Sequence, residues 1–313
     1  MLYVGEEGIE PSRQLGHTIL SRARLPIPTL AHDFSLILSL IWDKINLVMA
    51  RVFSVCNQKG GVGKTTTTIN LAAYLATLGK KSLIVDFDPQ GNATSGLGIT
   101  PHTLQYSVYH SFLGDVPFDV SVRKTEIPHL DILPANSDLA GALVELIDVE
   151  DREFLLRRLL SRVRHQYAYV FIDLPPSLSL LTLNGLVASD EVLIPIQTEY
   201  YSLQGLGELL RTITLINTNL KTNLKIGGAL LTMYNRREVL SREVAKEVRR
   251  HFPHRVFNTV IPRSISLAES PSFKKPIILH NRSSQGARAY ESLAREIIAD
   301  EQNKPQTHNF VAW

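Results

Sequence analysis

Cysteine is almost missing: among 313 residues there is one, Cys56. One thiol excludes an internal disulfide and a cluster held by the cysteines of a single chain, and it fits a reducing compartment. Cys56 closes an apolar run, so it reads as a small buried hydrophobe rather than a reactive thiol. Long hydrophobic runs are missing as well. The most apolar stretch, residues 34–42, is far shorter than the ~20 residues a helix needs to span a bilayer. No charge sign dominates, and 33 Lys+Arg against 30 Asp+Glu leave +3. Any affinity for nucleic acid must therefore come from a local patch. The N-terminus lacks a short basic region, apolar stretch and small-residue cleavage site, so secretion is not expected. What is present is an ordinary globular composition, 44% hydrophobic and 20% charged, with room for one or two domains.

Residues 1–48 share no pattern with the rest. Pro11, Pro26 and Pro28 break any long element, and residues 36–48 have the pattern of a short amphipathic helix. Met49 opens a stretch that runs directly into an apolar strand, so Met49 is the expected start, with 1–48 an over-extended reading frame or a disordered leader. From there strand-like and helix-like stretches alternate, which predicts an α/β fold: a predominantly parallel twisted sheet with helices on both faces. Strands are expected at 52–56, 82–86, 130–133, 169–173, 191–196, 226–232 and 256–261. Helices are expected at 64–78, 151–164, 179–189, 203–217, 240–251 and 286–299. One domain is expected from 49 to about 300, followed by a polar tail, 301–313.

The densest chemistry lies at 57–66, Asn57-Gln58-Lys59-Gly60-Gly61-Val62-Gly63-Lys64-Thr65-Thr66. Strand, glycine loop, Lys-Thr and helix form the context of a phosphate-binding loop. Gly60, Gly61 and Gly63 let backbone N–H groups approach phosphate oxygens, and the helix that follows adds its positive end. Lys64 can neutralise terminal phosphates and the Thr65 hydroxyl can bind Mg²⁺. Gln58 stands where the usual pattern has glycine, and a second lysine, Lys59, precedes the glycines.

Two further motifs end apolar strands. Val85-Asp86-Phe87-Asp88-Pro89-Gln90-Gly91-Asn92 brings carboxylates to the C-terminal edge of a parallel sheet, where such folds bind ligands. Beside a triphosphate they repel it unless they serve Mg²⁺ or a water, so Asp88 is the candidate for orienting an attacking water, with Asp86 in support. Val170-Phe171-Ile172-Asp173-Leu174-Pro175-Pro176 ends a strand in Asp173, a residue type that holds Mg²⁺ directly or through its water.

Together and in this order, the three motifs resemble the ParA/Soj family of partitioning ATPases, the deviant Walker A branch of P-loop NTPases. The likeness covers residues 49–300 and includes Asn92-Ala93-Thr94-Ser95-Gly96-Leu97-Gly98, Leu133-Pro134-Ala135 and Val260-Ile261-Pro262-Arg263. The resemblance implies ATP and Mg²⁺ as cofactors and slow hydrolysis that acts as a timer. It implies an ATP-dependent homodimer that binds DNA without sequence preference, in the cytoplasm at the nucleoid. A ParB-like centromere-binding partner would stimulate hydrolysis. Lys59 would contact phosphates across the dimer, and Lys64 would act on the nucleotide held by Gly60, Gly61, Val62, Gly63, Thr65 and Thr66. Asp88 would orient water, and Thr65, Asp88 and Asp173 would serve the metal. Asn235 and Pro262 are the expected adenine contacts.

Nonspecific DNA binding needs a cationic surface. Residues 236–255 hold seven Arg/Lys against three acids. Arg237, Arg263, Lys274, Lys275 and Arg288 are the expected DNA contacts, with Ser266 a departure where relatives often have arginine. A membrane-positioning ATPase of the MinD type would need a C-terminal amphipathic helix, and the tail is too short and polar for that. A nitrogenase-type iron–sulfur component would need cysteine ligands. A related ATPase positioning a non-DNA cargo, or an ATP-dependent regulator, stays open.

Overall fold

The computed structural model describes residues 49–199 and 205–303. The leader and most of the polar tail lie outside them. The strands are β1 (Arg51–Val55), β2 (Ser82–Asp86), β3 (Arg123–Lys124), β4 (Leu130–Leu133), β5 (Tyr169–Asp173), β6 (Glu191–Gln197) and β7 (Lys225–Thr232). They form one sheet in the order β3-β4-β2-β5-β1-β6-β7. Every pairing is parallel except β3 with β4, as expected for a sheet whose crossovers are mostly helices.

The helices that build the site and cover the sheet include α1 (Lys64–Thr77), α2 (Asn92–Gly96, one turn), α3 (Leu155–Ser161), α4 (Leu180–Ala188), α5 (Leu206–Asn219), α6 (Val239–His251), α7 (Ile265–Glu269, one turn) and α8 (Gln285–Asn303). The period-2 alternation of the strands sends side chains to two cores. Phe53, Tyr169 and Phe171 pack with Leu71 and Leu75 of α1 and with Tyr290 and Leu293 of α8. Val52, Val170, Ile172 and Val192 pack on the other face with Leu156, Leu186, Ile213 and Val248 from α3 to α6. Strands buried on both faces explain why β1, β5 and β6 read as nearly continuous apolar runs. Phe53 and Phe171 stack with centroids 5.4 Å apart.

Two expectations fail for identifiable reasons. The strand expected at 256–261 is reduced to two bridges, Ala229 with Val256 and Tyr234 with Pro262. Between them Glu296 of α8 accepts the Asn258 N–H (2.8 Å) and the Thr259 N–H (2.9 Å), drawing the chain away from β7. Burial tends to raise the Glu296 carboxyl, but these amides and Arg255 hold it below its ordinary range. The single helix expected at 151–164 breaks into a 3-10 turn, Arg152–Phe154, then α3, then a second turn, Arg164–Gln166. Asp151 starts that run with a left-handed φ of 53°. The helix expected at 203–217 begins its described part at Leu206, and β1 ends at Val55, one residue before Cys56.

Candidate functional site

The sheet order places the three motifs on three neighbouring strands. β2 and β1 flank β5, and the register sets Asp86 beside Asp173 and Val55 beside Asp173. The loops leaving β1, β2 and β5 therefore meet at one C-terminal edge.

The first loop is anchored at both ends. The Asn57 side chain donates to the Pro195 carbonyl (2.7 Å) and accepts the Lys59 N–H (3.0 Å). The Thr232 hydroxyl donates to the Val62 carbonyl (2.9 Å). Gly61 and Gly63 take left-handed φ values of 73° and 89°, which favour glycine. A Cβ at Gly60 or Gly61 would meet no atom within 4 Å, so this backbone faces open space that a ligand can enter. Lys64 Nζ lies 3.4 Å from the Lys59 carbonyl, folding back over the loop. Burial lowers the Lys64 pKa, opposed by Asp173, Cys56 and Asp88. Cys56 itself is pushed up to about 12 by burial, which makes it a packed, inert thiol.

The Thr65 hydroxyl donates to Asp173 Oδ2 (2.7 Å) and the Thr68 hydroxyl to Asp173 Oδ1 (3.1 Å). Asp173 is fully buried behind Thr65. Burial first, then the nearby Asp86 carboxylate, raise its pKa to about 8, while the two hydroxyls oppose the shift. A buried carboxylate with neighbouring acids is stabilised by a cation. Asp86 has another task. It accepts the Thr94 N–H (2.8 Å) and hydroxyl (2.6 Å), and Thr94 in turn accepts the Ala135 N–H (2.9 Å). Burial raises Asp86 to about 6. Asp86 thus supports Asp88 by holding the second loop. Asp88 accepts the Gln90 N–H (3.0 Å) and reaches the cleft.

The cleft is about 700 Å³ and is lined by Gly60, Gly61, Gly63, Lys64, Thr65, Thr66 and Asp88, with Asn70, Ser95, Gly96, Met233 and the stretch 270–276 apart from Phe273 and Lys274. A hydroxyl and carboxylates around a phosphate loop suit Mg²⁺, which keeps waters and phosphate oxygens as ligands. Among the described residues no three His, Cys, Asp or Glu side chains form a self-sufficient metal cage.

A second groove, about 1280 Å³, holds Asn235, Arg236, Arg237, Pro262, Arg263 and Arg288. The structure thus brings the expected adenine contacts together with three of the expected DNA contacts, next to the phosphate cleft rather than inside it. Lys275 lines the phosphate cleft, whereas Lys274 lines a small separate cavity. Arg263 pairs with Glu199 (2.9 Å). The basic run is partly neutralised by Lys246–Glu243 and Arg255–Glu296. Ser266 accepts a hydrogen bond from the Asn281 side chain (3.2 Å).

Sequence reasoning missed Thr232, Asn70 and Met233, and placed Thr94 in a family motif without giving it a role. Asn70 had a weak signal, a polar residue in the apolar run that follows Thr68. Thr232 and Met233 had none, and the bond from Ala135 to Thr94 joins two motifs that are distant in sequence.

Comparison with known proteins fits this geometry. The AAA domain family model matches residues 50–226. The sporulation initiation inhibitor protein Soj of Bacillus subtilis is 48% identical over 252 residues, 80% of this chain and 100% of that protein. The chain belongs to the ParA/Soj family. Among other members, the chromosome partitioning protein ParA of Myxococcus xanthus is 48% identical over 250 residues, 80% of this chain and 88% of its own. A similar architecture is also seen in a solved structure. Cobyrinic acid a,c-diamide synthase from Mycobacterium smegmatis, with bound ADP and magnesium, matches with TM-score 0.72 and 38% identity. That match covers 81% of this chain and 96% of the other.

Proposed function

We propose that this protein is a ParA-type partitioning ATPase that hydrolyses Mg-ATP and moves chromosome or plasmid DNA. The observation that carries this reading is the meeting of a two-lysine phosphate loop with Asp88 and Asp173 at three adjacent strand ends. The relatives at 48% identity, named for chromosome partitioning, support it.

Lys64 and the N–H groups of 60–66 hold the phosphate chain. Mg²⁺, when bound, offsets charge on the phosphates, and Thr65 backed by Asp173 would hold it with Asp88 near. Asp88 orients the attacking water. Lys59 does not line the cleft of its own chain, which suits a residue that reaches a partner's nucleotide in an ATP-dependent homodimer. Asn235 and Pro262 would bound the base. Arg237, Arg263, Arg288 and Lys274 would face DNA, binding the phosphate backbone without reading bases. A ParB-like partner would trigger hydrolysis, and the protein would sit on the nucleoid. Among the described residues no helix is long and apolar enough to cross a membrane.

The deciding experiment is a salt-titrated co-sedimentation with DNA in ATP, in ADP and without nucleotide. Binding with ATP alone, falling steeply with salt, is expected. ATP-dependent dimers that bind no DNA in any state would move the assignment to an ATPase positioning a different cargo.

A further inference from the structure

The segment after α7 is fixed to the phosphate site more firmly than a surface loop needs to be. Ser270–Phe273 forms a 3-10 turn. The turn is closed by the Lys274 N–H donating to the Pro271 carbonyl (2.9 Å) and the Lys275 N–H to the Ser270 carbonyl (3.3 Å). Lys274 has a left-handed φ of 54°, which reverses the chain between the two lysines. Neighbours in sequence are thereby sent to different places. Lys274 joins Leu97, Thr125 and Glu126, while Lys275 joins Lys64, Thr65 and Thr66.

Two residues later the chain is pinned again. The Ile277 N–H donates to Asn70 Oδ1 (2.7 Å), and Asn70 Nδ2 donates to the Thr66 carbonyl (2.8 Å). Asn70 is 2% exposed, so both bonds are sheltered from water. The segment is therefore tied to the helix whose first turn carries the phosphate-binding hydroxyls. It also rests on the second loop, where the Lys274 carbonyl lies 3.6 Å from the place of a Cβ on Gly98.

Lys275 is exposed, and among the described residues it has no ion pair or side-chain hydrogen bond. The charged side chains lining the cleft are Lys64, Asp88 and Lys275. With Asp88 opposing Lys64, the lining has no surplus positive charge unless Lys275 supplies it, and a nucleotide brings several negative charges.

We propose that Lys275 is a nucleotide-binding residue whose ammonium contacts the phosphate chain of the nucleotide held by the loop. The proposal rests on the ATPase reading above and takes Lys275 away from the DNA surface its sequence suggested.

The test is calorimetric titration of the full chain with Mg-ADP, without DNA, at two salt concentrations. If wild type and Lys64→Ala give the same weak signal, the ATPase reading itself fails. With wild-type binding established, Lys275→Ala is expected to raise the Kd by about tenfold, the scale of one charge-assisted contact. Its Kd should also depend less on salt, and Lys275→Arg should restore most of the affinity. The melting curve without nucleotide should be unchanged, because the side chain is exposed. Wild-type ADP affinity in Lys275→Ala overturns the proposal. If the same variant also sediments less with DNA in a separate assay, Lys275 returns to the DNA surface. Lys275→Arg as weak as the alanine variant would also overturn it, since charge would not be the cause.

Discussion

The phosphate cleft and the arginine groove lie side by side, yet they are held by opposite means. In the cleft, each loop is pinned to distant parts of the chain through buried or half-buried side chains: Asn57 to Pro195, Thr232 to Val62, Thr94 to Asp86 and Ala135, Thr65 and Thr68 to Asp173. In the groove, Arg237 and Arg288 project from the surface, and Arg263 holds an exposed partner, Glu199. A transition state needs fixed geometry, whereas a polyanion bound through its backbone needs charge and tolerates motion. Damage to the first region should be steep and local, and damage to the second shallow and cumulative.

The sharpest break in this comparison is Lys64→Ala. It should weaken nucleotide binding by roughly 100-fold or more, about 3 kcal/mol, read by calorimetry with Mg-ADP. Asp88→Ala should come next. Nucleotide binding and the ATP-dependent dimer should persist while turnover, followed by phosphate release, falls about 100-fold. Wild-type turnover in that variant would end the role given to Asp88. Thr94→Val keeps the shape and removes one hydroxyl from the buried Asp86. Unfolding in urea should show a loss of ~2 kcal/mol, because a buried carboxylate loses a donor.

The buried acids predict a pH effect in the nucleotide-free protein. Asp86 is raised from 3.8 to about 6 and Asp173 from 3.8 to about 8. Each binds its proton more tightly when folded. Their contribution to stability is complete below the unfolded value and is lost as pH rises through about 6 and about 8. Asp173→Asn should therefore melt several degrees above wild type at pH 8, with a smaller gap at pH 5. Equal gaps at both values would count against a protonated Asp173. The mildest change is Arg237→Ala. DNA affinity should fall roughly two- to fivefold and the salt slope by about 0.9, with ADP affinity unchanged. A collapse of DNA binding from that single change would erase the contrast between the regions.

The same contrast explains what could be read in the sequence. Gly61, Gly63, Asp88 and Asp173 announce themselves because strand ends and glycine turns have local signals. The pairings that support them do not: Thr94 and Ala135 stand in separate motifs far apart in sequence, as do Val62 and Thr232, and no short-range pattern joins them. The strand expected at 256–261 failed for a related reason. Its residues are apolar enough to pair, but Glu296, more than thirty residues later, competes for two of its amides. The parting of Lys274 from Lys275 depends on one left-handed residue, which composition alone conceals.

Tyr290 of α8 meets Thr67 of α1 hydroxyl to hydroxyl at 3.1 Å, in a spot closed to solvent. α1 follows β1, the first of the described strands, and α8 is the last of the described helices. On the ribosome, the helix that presents the phosphate loop must wait for α8 before the face that carries Thr67 is covered. A chain cut short would leave that face bare and its loop unsupported, so truncated products should neither hold nucleotide nor enter the dimer as faulty partners.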